Sequence, residues 1–154
     1  MSKKLRYLEC ELFPMILIFI DNEKDFYELT NRFNLNEGYS DSVQYPTEYA
    51  AHTMSFSLSG LGHAVFVTLG NTKNRSDQNI ACVMAHEATH VKQFCLEYIG
   101  EENVGAETEA YMVEYFLQYL LSEIEWRKNN KRILAKKARI LKAKNEQHKR
   151  VCNK

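Results

Sequence analysis

The spacing of apolar residues in the first half of the chain predicts a small β-sheet. Residues 12–20 form a short apolar run that is typical of a buried strand, although Pro14 favours an edge position or a later start. Residues 52–58 and 63–69 alternate apolar and polar side chains on either side of a glycine-containing connection, which indicates a β-hairpin. Together these runs predict a small antiparallel or mixed sheet.

Helical spacing predicts three helices to accompany this sheet, and the fold class is therefore expected to be α+β. The first is expected to begin at an N-cap, Asp21 or Asn22, and to run to about Phe33, and the second runs from an N-cap at Ser76 or Asp77 to about Tyr98, ending at a C-terminal glycine, Gly100. A third is expected over residues 105–126, where apolar residues recur at steps of three and four. That stripe, which is expected to pack against the second helix, consists of Ala106, Ala110, Val113, Leu117, Leu120 and Ile124.

The length and the charge distribution predict one globular domain followed by a basic tail. A chain of 154 residues with 45% apolar residues can bury one core but not two independent ones. Residues 1–126 contain 8 Lys and Arg against 19 Asp and Glu, a net charge of −11, whereas residues 127–154 contain 12 against 1, a net charge of +11. We therefore expect one folded domain over residues 1–126 and an interaction tail over residues 127–154.

The tail interleaves cationic and apolar residues in a pattern that predicts an amphipathic helix with a strongly positive face. Four roles remain open: a solvated extension of the preceding helix, docking on its own or another protein, binding of nucleic-acid phosphates, and contact with an anionic membrane surface. No base-reading motif is visible. The cations up to residue 150 are Arg127, Lys128, Lys131, Arg132, Lys136, Lys137, Arg139, Lys142, Lys144, Lys149 and Arg150.

Cysteine usage and the N-terminal sequence favour a cytoplasmic location. The four cysteines are far apart in a chain large enough to fold without disulfides, so we expect free thiols and a reducing compartment. Lysines before the first apolar run suggest a signal peptide, but Glu9 and Glu11 interrupt that pattern and no small-residue cleavage site follows. No run is long enough to span a bilayer, and no membrane partner is expected.

The segment His86-Glu87-Ala88-Thr89-His90 points to a specific chemistry. Residues four apart on a helix lie on the same face, so the imidazoles of His86 and His90 can share one metal ion. Glu87 is offset around the helix, which removes it from the ligand set but keeps it near a metal-activated water, where it can act as general base. A chance match is expected in roughly one in a few hundred chains of this size. The pattern therefore predicts a metal site.

A catalytic zinc site generally has three protein ligands, so the two histidines require a third donor. Glu107 and Glu109 are the candidates on the third helix. At about 100° per residue, Glu109 lies about 60° from the centre of the predicted apolar stripe and Glu107 about 100° from it. Glu109 is therefore favoured, although both carboxylates are also well placed as solvated charges near a helix N-terminus. Two imidazoles and one carboxylate suit Zn²⁺ best.

With both segments in view, the chain resembles the gluzincin group of zincin metallopeptidases. The separation of His90 from Glu109 is similar to that of the group, and so is the alanine that follows Glu109. The order of a strand, a polar loop, the motif helix and the Glu-x-Glu-Ala-Tyr run is similar to that of small phage-encoded metallopeptidases. The resemblance covers about residues 45–120.

The resemblance implies a minimal zincin core in which zinc is held by His86, His90 and a downstream glutamate, with Glu87 as base. Together with the motif chemistry it predicts a zinc-dependent hydrolase acting on a peptide or protein, located in the host cytoplasm if the chain is phage-encoded. A second hypothesis is a non-catalytic zinc-containing binding protein whose basic helix docks on nucleic acid or a protein partner. A third is a structural metal site that ties two helices together.

Overall fold

The strands form one four-stranded mixed sheet. The computed structural model describes residues 6–11, 13–35, 43–58 and 62–152, with side chains through residue 142. In sheet order, β1 (Leu8–Glu9), β2 (Met15–Ile20), β4 (Gly62–Leu69) and β3 (Ala51–Leu58) lie side by side. β2 runs parallel to β4, whereas β1 and β3 are antiparallel to their neighbours. This confirms a small mixed sheet and places β3 at its edge.

Strand β2 starts later than the apolar run does, and it lies in the interior of the sheet. Its first residue, Met15, directly follows Pro14, which lacks the N–H that a ladder needs. The late start was anticipated from the sequence, and it allows the strand to pair on both sides. The predicted hairpin is also confirmed, because β3 and β4 pair from Ala51↔Leu69 to Leu58↔Gly62. The two-residue strand β1 was not predicted, since it is too short to show alternation.

Helices cover both faces of the sheet. Helix α1 (Glu23–Arg32) begins at Asn22, whose side chain accepts a hydrogen bond of 2.8 Å from the Asp25 backbone N–H. Its residues Phe26 and Leu29 pack with the apolar residues of one face, including Ile18, Phe56 and Phe66. Leu17, Phe19, Val65 and Val67 alternate with that set and belong to the other face. Helix α2 (Asp77–Ile99) contacts β3 and β4.

The third predicted helix and the predicted tail form one continuous helix, α3 (Ala106–Cys152). The predicted apolar stripe was partly wrong: Ala106 and Ala110 are exposed, whereas Met112 and Phe116 are buried together with Leu120. The physical reason is side-chain size, because burial of a Met or Phe removes far more apolar surface from water than burial of an alanine. The buried stripe is therefore rotated away from the small residues.

The chain divides into two compact units, one extending to Leu120 and the other beginning at Leu121. The first contains the sheet, α1, α2 and the first turns of α3, and the second consists of the rest of α3. None of the described helices is both long and apolar enough to cross a membrane.

Three cysteines whose side chains the structure describes, Cys10, Cys82 and Cys95, are free thiols. Cys10 and Cys95 are buried, and Cys82 is exposed. Burial raises the pKa of Cys10 to about 12, with a smaller contribution from Cys95, and raises that of Cys95 to about 11. Both buried thiols are therefore protonated and unreactive near neutral pH.

Candidate metal centre

Helix α2 carries the motif and is capped at both ends. The Ser76 side chain accepts a hydrogen bond of 3.1 Å from the Asn79 backbone N–H at the start. Gly100 ends the helix in the left-handed conformation, at φ 73°, which a glycine adopts without steric cost. The buried face repeats at steps of three and four, which fixes the helix on the sheet with its histidines turned away. That face consists of Ile80, Met84, Glu87, Ala88, Val91 and Cys95.

The structure brings the two motif histidines together. His86 is exposed and His90 half-buried, and their Nε2 atoms are 3.0 Å apart. The rings are nearly perpendicular, at 86°, with centroids 4.7 Å apart. This contact is a hydrogen bond when one Nε2 carries a proton. When neither does, the same geometry places two lone pairs where a single cation can accept both.

Gln93 orients the ring of His90. Its Oε1 atom is 2.9 Å from His90 Nδ1, and an amide oxygen only accepts, so Nδ1 donates. In the neutral imidazole the lone pair then lies on Nε2, the atom that faces His86. A hydrogen bond to the second ring nitrogen is the usual support for a metal-binding histidine. Gln93 was not predicted from the sequence, although its position three residues after His90 on the same helix face was an available signal.

Glu87 is buried against the edge strand rather than directed to solvent. Its side chain is 5% exposed, and its Oε2 atom accepts a hydrogen bond of 2.6 Å from Thr53 Oγ1 on β3. Thr53 is itself buried. A carboxylate in such a position needs a donor to offset the loss of water, and the hydroxyl supplies it. The bond also holds the Glu87 side chain in one rotamer, because the donor, Thr53, is itself fixed in a buried position on β3.

Glu109 lies against α2, but its partner is a lysine. Its Oε2 atom forms an ion pair with Lys92 Nζ, two residues beyond His90. The Lys92 side chain is 13% exposed and that of Glu109 40% exposed. Glu107 is exposed, so Glu109 is the glutamate that faces the motif helix.

The structure therefore assembles part of the predicted ligand set. His86 and His90 meet, and Glu87 lies on the adjoining buried face. Within residues 6–11, 13–35, 43–58 and 62–142, no group of three or more His, Cys, Asp or Glu side chains is arranged to hold a metal ion. The assignment of Glu109 as third ligand stays a prediction.

Comparisons with known proteins add nothing to this geometry. No family model, no curated protein and no solved structure matches the chain. The functional argument therefore depends on the arrangement of the motif residues and on their chemistry.

Proposed function

We propose that this protein is a zinc-dependent hydrolase of the metallopeptidase type. In this proposal His86, His90 and Glu109 hold Zn²⁺, and Glu87 is the general base. The observation that supports it most directly is the 3.0 Å separation of the two Nε2 atoms beside a buried motif glutamate.

The donor geometry fits zinc. Two nitrogens at about 2.0–2.1 Å from a tetrahedral ion would be about 3.3 Å apart, close to the separation seen between His86 and His90. Gln93 already holds the His90 tautomer that such binding requires. The half of the site formed by α2 therefore needs little rearrangement.

Recruitment of Glu109 requires the loss of its ion pair with Lys92. The exposed side of Glu109 screens this pair, but Lys92, at 13% exposed, would lose its partner in a mostly buried position, which is a cost that the metal has to offset. Coordination by Zn²⁺ would give the Glu109 carboxylate a doubly charged partner in place of the single charge of Lys92. Lys92 would then be released to solvent or to a substrate carboxylate.

The proposed chemistry divides between the metal and Glu87. Bound zinc would lower the pKa of a water molecule and polarise a carbonyl group. Glu87, held through Oε2 by Thr53, would use its other oxygen to take the proton from water and deliver it to the leaving amine. The fixed rotamer keeps that oxygen in one position throughout both transfers.

A peptide is the proposed substrate because of the position of β3. This strand lies at the sheet edge and carries Thr53, the residue that contacts the motif glutamate. An extended peptide can pair with an edge strand through main-chain hydrogen bonds. This mode of binding tolerates many different side chains in the peptide. Pairing along β3 would bring a scissile bond toward α2.

The test uses the full-length protein and two substitutions. Elemental analysis and a zinc titration should give one zinc per chain, lost in His86→Ala. A library of peptides should be cleaved by the zinc-loaded protein, and Glu87→Gln should keep the zinc but lose cleavage by a factor of about 10² or more. Full turnover by Glu87→Gln, or zinc binding unchanged by His86→Ala, would overturn the proposal.

A further inference from the structure

The second unit of the chain presents a one-sided distribution of charge on an exposed helix. Every residue from Lys131 to Lys142 is exposed. No acidic residue occurs between Glu125 and Glu146. This stretch of α3 therefore carries a dense positive charge without negative residues of its own.

The cations follow one side of the helix. At about 100° per residue, Arg132, Lys136, Arg139 and Lys142 fall within an arc of about 120°. We call these four residues the cationic arc. Lys137 is the exception, because it lies about 100° beyond Lys136 and outside that arc. Lys128 falls within the arc and Lys131 extends it slightly, whereas Arg127 lies further round the helix and pairs with Glu123 at 3.8 Å.

The opposite side of the helix is apolar only in part. Ile133, Leu134, Ile140 and Leu141 are 48–64% exposed there. The centre of that side is occupied by Asn130 and Lys137. Burial in a bilayer or against an apolar helix would remove an ammonium group from water at the middle of the contact, which is costly. The cationic arc is therefore a better candidate for a binding surface than the apolar side of the helix.

We propose that the cationic arc binds the phosphate backbone of double-stranded DNA without reading its sequence. From Arg132 to Lys142 the arc extends for about 15 Å at 1.5 Å per residue, a length that matches about four phosphates of one strand. An α-helix fits the major groove of B-form DNA, whereas the deep, narrow major groove of duplex RNA does not admit it. This inference is independent of the hydrolytic activity.

Two neighbouring lysines provide a matched test. Binding of the full-length protein to a labelled 20-base-pair DNA duplex is measured by fluorescence anisotropy at several salt concentrations. Each phosphate contact adds about 0.9 to the slope of log affinity against log salt. Lys136→Gln should lower that slope by about 0.9, and Lys137→Gln, which removes the same charge one residue away, should leave it unchanged. Circular dichroism checks that both variants keep their helix content.

Several outcomes would overturn the proposal. Equal losses in both variants would show that net charge, rather than the arc, governs binding. Equal or tighter binding of a duplex RNA of the same length would exclude the groove argument. Retention on vesicles containing phosphatidylserine, or salt-sensitive dimers in gel filtration, with no DNA binding, would assign the helix to a membrane or to a second copy of the chain.

Discussion

Thr53 donates a hydrogen bond of 2.6 Å to Glu87, and both side chains are buried. The bond connects the edge strand β3 to the motif helix α2 across 34 positions in the sequence. It holds Oε2 of the carboxylate and leaves the other oxygen for the proton transfer proposed for Glu87. A strand residue thus controls the orientation of the proposed base.

Thr53→Val should reduce peptide cleavage about tenfold while zinc content stays the same, because Glu87 loses its positioning donor. The free energy of unfolding should fall by about 1–3 kcal/mol, since a buried carboxylate is left with one donor fewer. Thr53→Ser keeps the hydroxyl and should restore cleavage.

Thr68→Val is the matched control for that substitution. The Thr68 hydroxyl is also buried and donates to the His52 carbonyl at 2.9 Å, but it does not contact the motif. Thr68→Val should lower the free energy of unfolding but should not reduce the turnover of the folded protein. Equal kinetic effects of Thr53→Val and Thr68→Val, compared under conditions where both are folded, would contradict a positioning role.

Gln93→Leu should weaken zinc binding about tenfold, because His90 loses the acceptor that fixes its tautomer. The measurement is a competition titration against a zinc chelator. Gln118→Leu, on α3, removes an exposed glutamine that is 3.1 Å from Glu114 and should leave the affinity unchanged. No difference between the two variants would mean that Gln93 does not support the metal site.

Glu109→Gln should weaken zinc binding by more than about tenfold if Glu109 is the third ligand. Glu107→Gln removes the same charge from an exposed position nearby and should have little effect. Lys92→Met removes the competing ion-pair partner of Glu109, so zinc should bind at least as tightly as in the unmodified protein. A loss confined to Glu107→Gln would reverse the choice between the two glutamates.

The stability of the fold should decrease in mild acid because of His63. This histidine is buried, stacks on Tyr98 with ring centroids 4.3 Å apart, and has no hydrogen-bond partner for either ring nitrogen among the described residues. Burial lowers its pKa below the ordinary 6.5, and Glu97 opposes the shift only partly. The unfolded chain therefore binds the proton more readily, and stability is lost as the pH falls below about 6.5.

His63→Phe should remove that acid sensitivity and raise the free energy of unfolding at neutral pH by about 1 kcal/mol, because the unpaired ring nitrogens disappear while stacking is kept. Urea unfolding at pH 7.5 and pH 5.5 measures both effects. His52→Phe replaces an exposed histidine on the same sheet and should not change the acid limb. An unchanged difference between the two pH values in His63→Phe would contradict this explanation.

Local patterns in the sequence were sufficient for most of the fold. The start of α1 was predicted at Asp21 or Asn22 and that of α2 at Ser76 or Asp77, and the structure selects Asn22 and Ser76. Such caps, like the left-handed Gly100, act within a few residues and therefore show in the sequence. The hairpin of β3 and β4 is equally local. The stripe of α3 was only partly predicted, because alanines fit a helical period without burying much surface.

In the candidate site, too, local contacts were predicted from the sequence and long-range contacts were not. The meeting of His86 and His90 follows from a spacing of four on one helix, and the structure confirms it. Contacts between distant segments were not visible in the sequence. Thr53 is one of several polar residues on an alternating strand, and Lys92 has no feature that distinguishes it as the partner of Glu109. Such pairings depend on how the helix is seated on the sheet.

The parallel pairing of β2 with β4 has a consequence for synthesis of the chain. Met15 pairs with His63, so an interior strand made early has no permanent neighbour on that side until nearly fifty further residues have been added. The emerging chain would expose the unpaired edge of this apolar strand until residues 63–68 have been made. A factor that covers this strand edge on the ribosome would therefore raise the yield of folded protein.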